Sequence, residues 1–425
     1  MFTNVKDFIN WVEKQRRFSK KTNLDKMRFY CSLFDNPQDK FKSIHVTGTN
    51  GKGSTVAFIA SVLKQANLNV ATFTSPYITY FNERIQYNGK FISDDELLKY
   101  ANQVLSKYDE ISNNGYELPS FFEFITLVAF LYFSEIKDLD FAIIEVGIGG
   151  RIDSTNVINS EIAVLSNVAF DHMNVLGDTL EKIATEKLGI VKNHEPLVIG
   201  TTDLNLQKFI KSYANENQIP LTIAPLRACE IKKMTIYGSE LLLEGFSEPL
   251  WISLVGKHQV ENAMTAISTI EVLGELHPDL KAELLKAIPD GVKNTKWPGR
   301  LEIVNSSPLI LIDGAHNIDG ITRTCEFIRS LPYRSKRAIV SISKDKEKMD
   351  MIKIIDQTFD EVIFTKYSYD RSATPEELYE LSTCQSKLII PTIDETITYV
   401  KTSPVDFTIF LGSLYLVCDI KRNLK

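Results

Sequence analysis

Ile44-His45-Val46-Thr47-Gly48-Thr49-Asn50-Gly51-Lys52-Gly53-Ser54 holds the residues with the clearest chemical purpose in this chain. Glycines at 48, 51 and 53 let the backbone turn tightly, so that several N–H groups face one point. Lys52 adds a full positive charge, and the helix that opens beside it adds a partial one. That combination suits a triphosphate. The strict pattern G-x-x-x-x-G-K-[ST] is not met, because Val46 stands at its first glycine and Gly53 follows the lysine. The alternative is a glycine-rich turn with a solvated lysine. The strand before the turn and the helix after it favour the phosphate reading.

Further polar residues stand where apolar runs end. Val70–Phe73 leads to Thr74-Ser75-Pro76, Phe141–Val146 delivers Glu145, and Ile162–Ser166 leads to Asp171-His172. In open parallel sheets ligands sit at such strand ends. An acid there, facing a phosphate loop, is the arrangement that holds Mg²⁺ against ATP, since Mg²⁺ takes one or two carboxylates plus phosphate oxygens and waters. His172 taken alone reads as a capping or packed histidine. Glu145-Val146-Gly147-Ile148-Gly149-Gly150-Arg151 is glycine-rich without being a dinucleotide fingerprint. Leu309–Ile312 ends in Asp313-Gly314-Ala315-His316-Asn317, Thr408–Leu411 ends in Gly412-Ser413, and Arg300 offers a planar fork for phosphate.

These residues need elements to hold them. Val56, Ile59, Ala60 and Leu63 recur on one helical face after the glycine turn. The strand candidates are nearly continuous in apolar character, as parallel strands covered on both faces are. Ile231 to Leu254 alternates instead, with a Tyr237-Gly238-Ser239 turn, and predicts small antiparallel hairpins. A helix follows from Val260 to Leu273. Lys296-Trp297-Pro298-Gly299-Arg300 separates two apolar regimes and predicts a hinge or boundary. Beyond it Leu309–Ile312, Ala338–Ser341, Val362–Phe364, Leu388–Ile390 and Thr408–Leu411 read as strands. The reading is an α/β fold of two domains: residues 1–296 with a parallel sheet and a small antiparallel sheet, and 297–425 a second, smaller α/β domain.

Composition narrows the function. The 425 residues exceed one compact core, and 44% hydrophobic with 24% charged residues is ordinary for a soluble protein. A net charge of −6 leaves no basic surplus for nucleic acid; Arg16, Arg17, Lys20, Lys21 and Lys26 read as a solvated face. Five scattered cysteines, with no C-x-x-C, read as reduced thiols of a cytosolic protein. The longest apolar run, Phe121 to Phe133, contains Glu123 and is too short to span a bilayer. Phe2, Val5, Phe8, Ile9 and Val12, with Asp7 and Glu13 among them, read as a first helix and not a targeting segment.

Assembled, these blocks resemble the folylpolyglutamate synthases and bifunctional dihydrofolate synthases, relatives of the muramyl-peptide ligases. The resemblance runs through His45 to Ser54, Thr74-Ser75-Pro76, Phe81-Asn82-Glu83-Arg84-Ile85, Phe122-Glu123-Phe124, Glu145 to Arg151, Asp171-His172 and Glu186-Lys187-Leu188-Gly189-Ile190. It continues in His258-Gln259 with Asn262-Ala263, Trp297 to Arg300, Asp313 to Asn317 and Gly412-Ser413-Leu414-Tyr415, and so covers essentially the whole chain. It implies that 1–296 is a P-loop-type ATPase domain and 297–425 a smaller Rossmann-like domain, with catalysis in the cleft between them. Thr49, Asn50, Gly51, Lys52, Gly53, Ser54, Asn262, Arg300 and Asp313 would bind ATP. Ser75 and Glu145 would hold one Mg²⁺, and Glu145 with His172 a second; a monovalent cation is a further implied cofactor. Lys187 matches a lysine that this family carbamylates with CO₂. Lys52, Lys187, His316 and Asp313 would be catalytic, and Arg84, Phe122, Glu123, Asp153 and Ser413 would meet folate or glutamate.

The implied reaction is addition of L-glutamate, by γ-linkage, to reduced folates through an acyl phosphate, in a cytoplasmic monomer that binds neither nucleic acid nor membrane. The departures are Lys21-Thr22-Asn23-Leu24-Asp25-Lys26-Met27, where many bifunctional members carry a Leu-Gly-Leu-Glu-Arg-type loop, Tyr77 in place of His, and Ile152 in place of Leu. The first predicts poor use of dihydropteroate, with a bifunctional enzyme as the alternative. A muramyl-peptide ligase would need an extra N-terminal domain, and only about forty residues precede the loop. A GTPase-like switch would need an Asn-Lys-x-Asp motif, and the chain has no Asn-Lys pair.

Overall fold

The computed structural model describes residues 1–16 and 23–423. Arg17, Lys20 and Lys21 of the basic run, and Lys21-Thr22 of the departing segment, lie outside the described residues. The chain divides into two compact units, Met1–Ala228 with Glu261–Thr295, and Cys229–Val260 with Lys296–Lys425. The segment 229–260, placed before the 296/297 boundary by the sequence reading, thus groups with the C-terminal residues.

The first unit is built on an eight-stranded sheet. Its strands are β1 (Ser43–Thr47), β2 (Val70–Phe73), β3 (Ile85–Tyr87), β4 (Lys90–Phe91), β5 (Phe141–Glu145), β6 (Ile162–Leu165), β7 (Leu197–Ile199) and β8 (Leu221–Ile223). The order is β4-β3-β2-β5-β1-β6-β7-β8. Neighbours from β2 to β8 are parallel, and β3 and β4 add an antiparallel edge. All five residues of β1 are buried, as expected of a strand covered on both faces. The run Phe121–Glu135 is a helix with every residue from Phe122 to Phe133 buried. A helix apolar all round has no solvent face to present; among the described residues no helix is long and apolar enough to cross a membrane. The helix Lys281–Asn294 packs on the helix Lys52–Gln65 so closely that a β-carbon on Gly291 would lie 2.6 Å from Val62 Cα.

The second unit holds two sheets. One is three-stranded and antiparallel: β9 (Cys229–Thr235), β10 (Gly238–Leu243) and β11 (Leu250–Ile252), in the order β11-β10-β9. The other comprises β12 (Glu302–Ser306), β13 (Leu309–Ile312), β14 (Lys336–Val340), β15 (Glu361–Phe364), β16 (Lys387–Ile389) and β17 (Phe407–Leu411), in the order β12-β13-β17-β14-β15-β16. Only β12 runs antiparallel to its neighbour. The core around Leu311, Ala338, Val340, Val362, Phe364 and Ile409 joins this sheet to its helices.

Candidate active site

The register of the first sheet decides what gathers at the end of β1. Val46 pairs with Glu145 on one side and Thr47 with Leu165 on the other, so the chain after β1 meets the ends of β5 and β6. The segment after β6 secures the glycine loop. Asn167 accepts the N–H of Thr49 through its carbonyl at 3.0 Å and that of Asn50 through its side chain at 2.7 Å. Ser166 Oγ donates to Asn50 O at 2.7 Å, and Thr49 Oγ1 to Ala169 O at 3.0 Å. Gly51, at φ +82°, admits Asn262, whose Oδ1 lies 2.2 Å from where a β-carbon on Gly51 would stand. Lys52 opens the helix, and its Nζ donates to Gly48 O at 3.0 Å and Thr49 O at 3.2 Å. Gly53 and the buried Ser54 form the first turn behind it. Ser166 and Asn167 were not singled out from the sequence, since a short polar pair after a strand carries no motif.

Glu145 is the last residue of β5 and is buried. Its Oε2 accepts the N–H of Ser75 at 2.8 Å, so the carboxylate and this serine are neighbours. His172 has a left-handed backbone (φ 50°) and a side chain 42% exposed. Its Nε2 stands 4.0 Å from Asp171 Oδ1, beyond hydrogen-bond length. Among the described residues no three His, Cys, Asp or Glu side chains are gathered to cage an ion alone. A carboxylate beside a serine at a phosphate loop does fit Mg²⁺ that arrives with phosphate oxygens and keeps its waters.

Lys187 lies in the last turn of the helix Leu180–Leu188 and is 2% exposed. Burial and the nearby charge of Lys52 hold its ammonium well below the usual lysine range, against the pull of Asp171 and Asp153. Such burial disfavours the charged form of an amine. Glycine lets the loop after Glu145 reach this helix: a β-carbon on Gly150 would lie 2.7 Å from Lys187 O. Arg151 N–H donates to Glu186 O at 2.8 Å. Asp153 caps the turn Ser154–Val157 and accepts from Ile148 N at 3.1 Å and Thr155 N at 3.0 Å.

Of the residues implied for folate or glutamate, Arg84 is buried among aromatic rings, its guanidinium carbon 5.1 Å from the Tyr77 centroid and 5.2 Å from that of Phe121. Cation–π attraction fixes it there. Phe122 packs against Phe73 and lies under Gly147. Glu123 is buried and accepts from Ser120 N at 2.8 Å and Ser120 Oγ at 2.7 Å, a capping box, while Lys26 Nζ lies 3.1 Å from its other oxygen. Ser-x-x-Glu before an apolar run signals such a cap.

In the second unit Arg300, Asp313, His316 and Ser413 come together at the ends of β13 and β17. Asp313 is buried; its Oδ2 accepts Leu301 N–H at 2.8 Å and its Oδ1 accepts Ala315 N–H at 2.9 Å. Gly314 N–H donates to Gly299 O at 2.8 Å, and a β-carbon on Gly314 would strike Arg300 Nη1 at 2.2 Å. His316 Nδ1 lies 2.8 Å from Gly314 O, and since a carbonyl only accepts, Nδ1 carries a proton. Gly412 N–H reaches Ala315 O at 3.1 Å, and Ser413 Oγ accepts Tyr415 N–H at 3.1 Å.

The chain is similar to known proteins along nearly its whole length. The Mur ligase middle domain model matches residues 46–270, and the model of the Mur ligase glutamate ligase domain matches 299–414. The chain is 36% identical over 438 residues to the dihydrofolate synthase/folylpolyglutamate synthase of Bacillus subtilis (strain 168), with 100% of each covered. It is 31% identical to the folylpolyglutamate synthase of Lacticaseibacillus casei, with 99% of each covered. The crystal structure of the Thermotoga maritima folylpolyglutamate synthase superposes with a TM-score of 0.82 at 27% identity, covering 99% of this chain and 96% of that one. A secured phosphate loop, a strand-end carboxylate and full-length identity of this order together have one reading: the chain belongs to the folylpolyglutamate synthase and dihydrofolate synthase family of Mur-type ligases.

Proposed function

We propose that this chain is an ATP-dependent ligase that adds L-glutamate, by γ-linkage, to tetrahydrofolate and its polyglutamates. The observation that carries it is Lys52 at the head of a helix, on a glycine loop held by Ser166 and Asn167, with the strand-end carboxylate Glu145 in register beside it. The folate γ-carboxylate attacks the γ-phosphate of ATP, giving an acyl phosphate and ADP; the amine of glutamate then attacks the activated carbonyl, and phosphate leaves. No side-chain nucleophile takes part, so positioning and charge neutralisation do the catalysis.

Thr49 to Ser54, with Asn262, bind the triphosphate, and Lys52 exchanges its contacts with Gly48 O and Thr49 O for phosphate oxygens. Ser75 with Glu145, and Glu145 with His172, would hold two Mg²⁺ ions; bound there, they neutralise charge on the phosphates. Arg300 grips an anion with a fork that Asp313 orients through the Leu301 amide. His316 is catalytic, its ring fixed by Gly314 O, and Ser413, Arg84, Phe122, Glu123 and Asp153 shape the folate and glutamate sites. Lys187 takes up CO₂ as a carbamate and so places an anion beside the metals. The working form is a cytoplasmic monomer.

A second reading, addition of glutamate to dihydropteroate as well, is favoured by the identity to a relative named for both activities. One experiment tests both. ATP turnover is followed with tetrahydrofolate or dihydropteroate, with and without glutamate, and the products are weighed by mass spectrometry. Turnover that needs both folate and glutamate, with poor use of dihydropteroate, supports the main reading. Equal kcat/KM for the two acceptors would establish the second, and turnover indifferent to folate would sink both.

A further inference from the structure

The middle residue of β1, a strand buried throughout, is a histidine. His45 is fully enclosed, and its Nε2 lies 2.9 Å from Thr155 Oγ1. That hydroxyl has one proton, and gives it to Asp153 Oδ1 at 2.7 Å, because an ionised carboxylate only accepts. Thr155 therefore accepts from His45, which makes His45 the Nε2–H tautomer. Its Nδ1 is left buried with no hydrogen-bond partner. Burial and the charge of Lys192 hold the ring neutral. The chain thus has a fixed direction, from His45 through Thr155 to Asp153.

The same Asp153 receives Thr155 N–H on Oδ1 at 3.0 Å and Ile148 N–H on Oδ2 at 3.1 Å. Three donors occupy its carboxylate. Among the described residues it has no hydrogen bond to Lys187, although it is one of the two acids acting on that amine. An acid released from such donors and turned toward the buried amine would hold it as an ammonium, which has no lone pair with which to attack CO₂. Thr47, two residues along β1 on the same face, donates from Oγ1 to Gly149 O at 2.6 Å. One strand thus holds the loop after Glu145 at Gly149 and the turn that follows it at Thr155.

We propose that His45 is a positioning residue for this site: by holding Thr155 on Asp153, it keeps that carboxylate from capturing Lys187, so the amine stays open to CO₂. The proposal rests on the reading of Lys187 as a carbamate. In that step the Nζ lone pair forms a bond to the carbon of CO₂, one C=O π pair moves onto oxygen, and the amine proton passes to solvent.

The test uses the full chain equilibrated with ¹³C-bicarbonate. Carbamate is measured by ¹³C NMR and assigned by its loss in Lys187→Met. His45→Phe and Thr155→Val should each lower occupancy about tenfold, equivalent to about one unit in the amine's proton affinity. Combined, they should lose no more than either alone, because they cut one chain. Thr155→Ser keeps the hydroxyl and should keep the signal. In His45→Phe, kcat should fall with KM for ATP held, and raised bicarbonate should restore it, which it could not do for lost packing. Folded variants with wild-type occupancy would overturn the role of His45 alone. A wild-type protein that shows no carbamate would overturn the Lys187 reading and the proposal with it. If His45→Phe does not fold, Thr155→Val and Thr155→Ser decide between these outcomes.

Discussion

The carboxylate of Asp313 accepts the backbone N–H of Leu301 at 2.8 Å, and Leu301 sits at a left-handed φ of 44°. A buried acid at the end of β13 therefore sets the backbone beside Arg300. With its second oxygen it also takes the N–H of Ala315 and the hydroxyl of Thr324. The acid orders the loop on both sides of Gly314 before any ligand arrives.

Asp313→Ala should cost about 2–3 kcal/mol of stability, since it strands buried donors. Asp313→Asn keeps one acceptor oxygen and should lose less stability, while turnover falls at least about tenfold through a misplaced Arg300. Urea midpoints and steady-state rates on the same preparations check this. An unchanged midpoint for Asp313→Ala would show that the network contributes nothing.

Lys52→Ala should leave the fold intact and reduce ligation by about 10³-fold or more, as loss of a preorganised cation at a phosphoryl-transfer centre does. Thermal melting reports the fold and product formation reports the loss. Near-normal turnover in a folded variant would remove the glycine loop from the ATP site.

Glu145→Gln keeps the shape of the side chain and removes its charge, so activity should fall and the Mg²⁺ requirement should rise. His172→Ala should be milder. Its imidazole is half-exposed and a softer donor than the oxygen ligands Mg²⁺ prefers. Matched Mg²⁺ titrations that rank the two the other way would overturn the metal assignment.

Lys187 makes a pH prediction. Burial and the charge of Lys52 lower its proton affinity in the folded state, whereas the unfolded chain protonates it below a pKa of about 10.4. The unfolded state binds the extra proton, so this group's contribution to stability rises with pH up to that value. In CO₂-free buffer Lys187→Met should therefore raise Tm at pH 7, and the gain should shrink as pH approaches 10. A constant difference across that range would mean that Lys187 is charged in the fold. Lys187→Ala should lose ligation and partly recover it with acetate, because an anion is wanted there; full activity of Lys187→Arg would exclude the carbamate.

Local pattern was enough to place the parallel strands. β2, β5 and β6 start where the apolar β-branched runs start and end within a residue of them, because buried strands must be apolar on both faces. The glycine loop, the strand-end residues Glu145 and Asp313, and the antiparallel segment Cys229–Ile252 were legible for the same reason: each is a short stretch whose residue types and spacing suffice. The short edge strands β3, β4 and β8 were not, since two or three residues are too few to show a period.

Tertiary structure alone decided who meets whom. Asn167 reaches Asn50 across 117 residues and Thr155 reaches His45 across 110; register between parallel strands creates both contacts, and no local spacing encodes register. The charge state of Lys187 was equally hidden. In the sequence it is an ordinary helical lysine, and its charged form is disfavoured only because the folded chain removes water from it and places Lys52 nearby. Sequence supplied the reactive groups; burial and strand register determined which of them face one another, and in which protonation state.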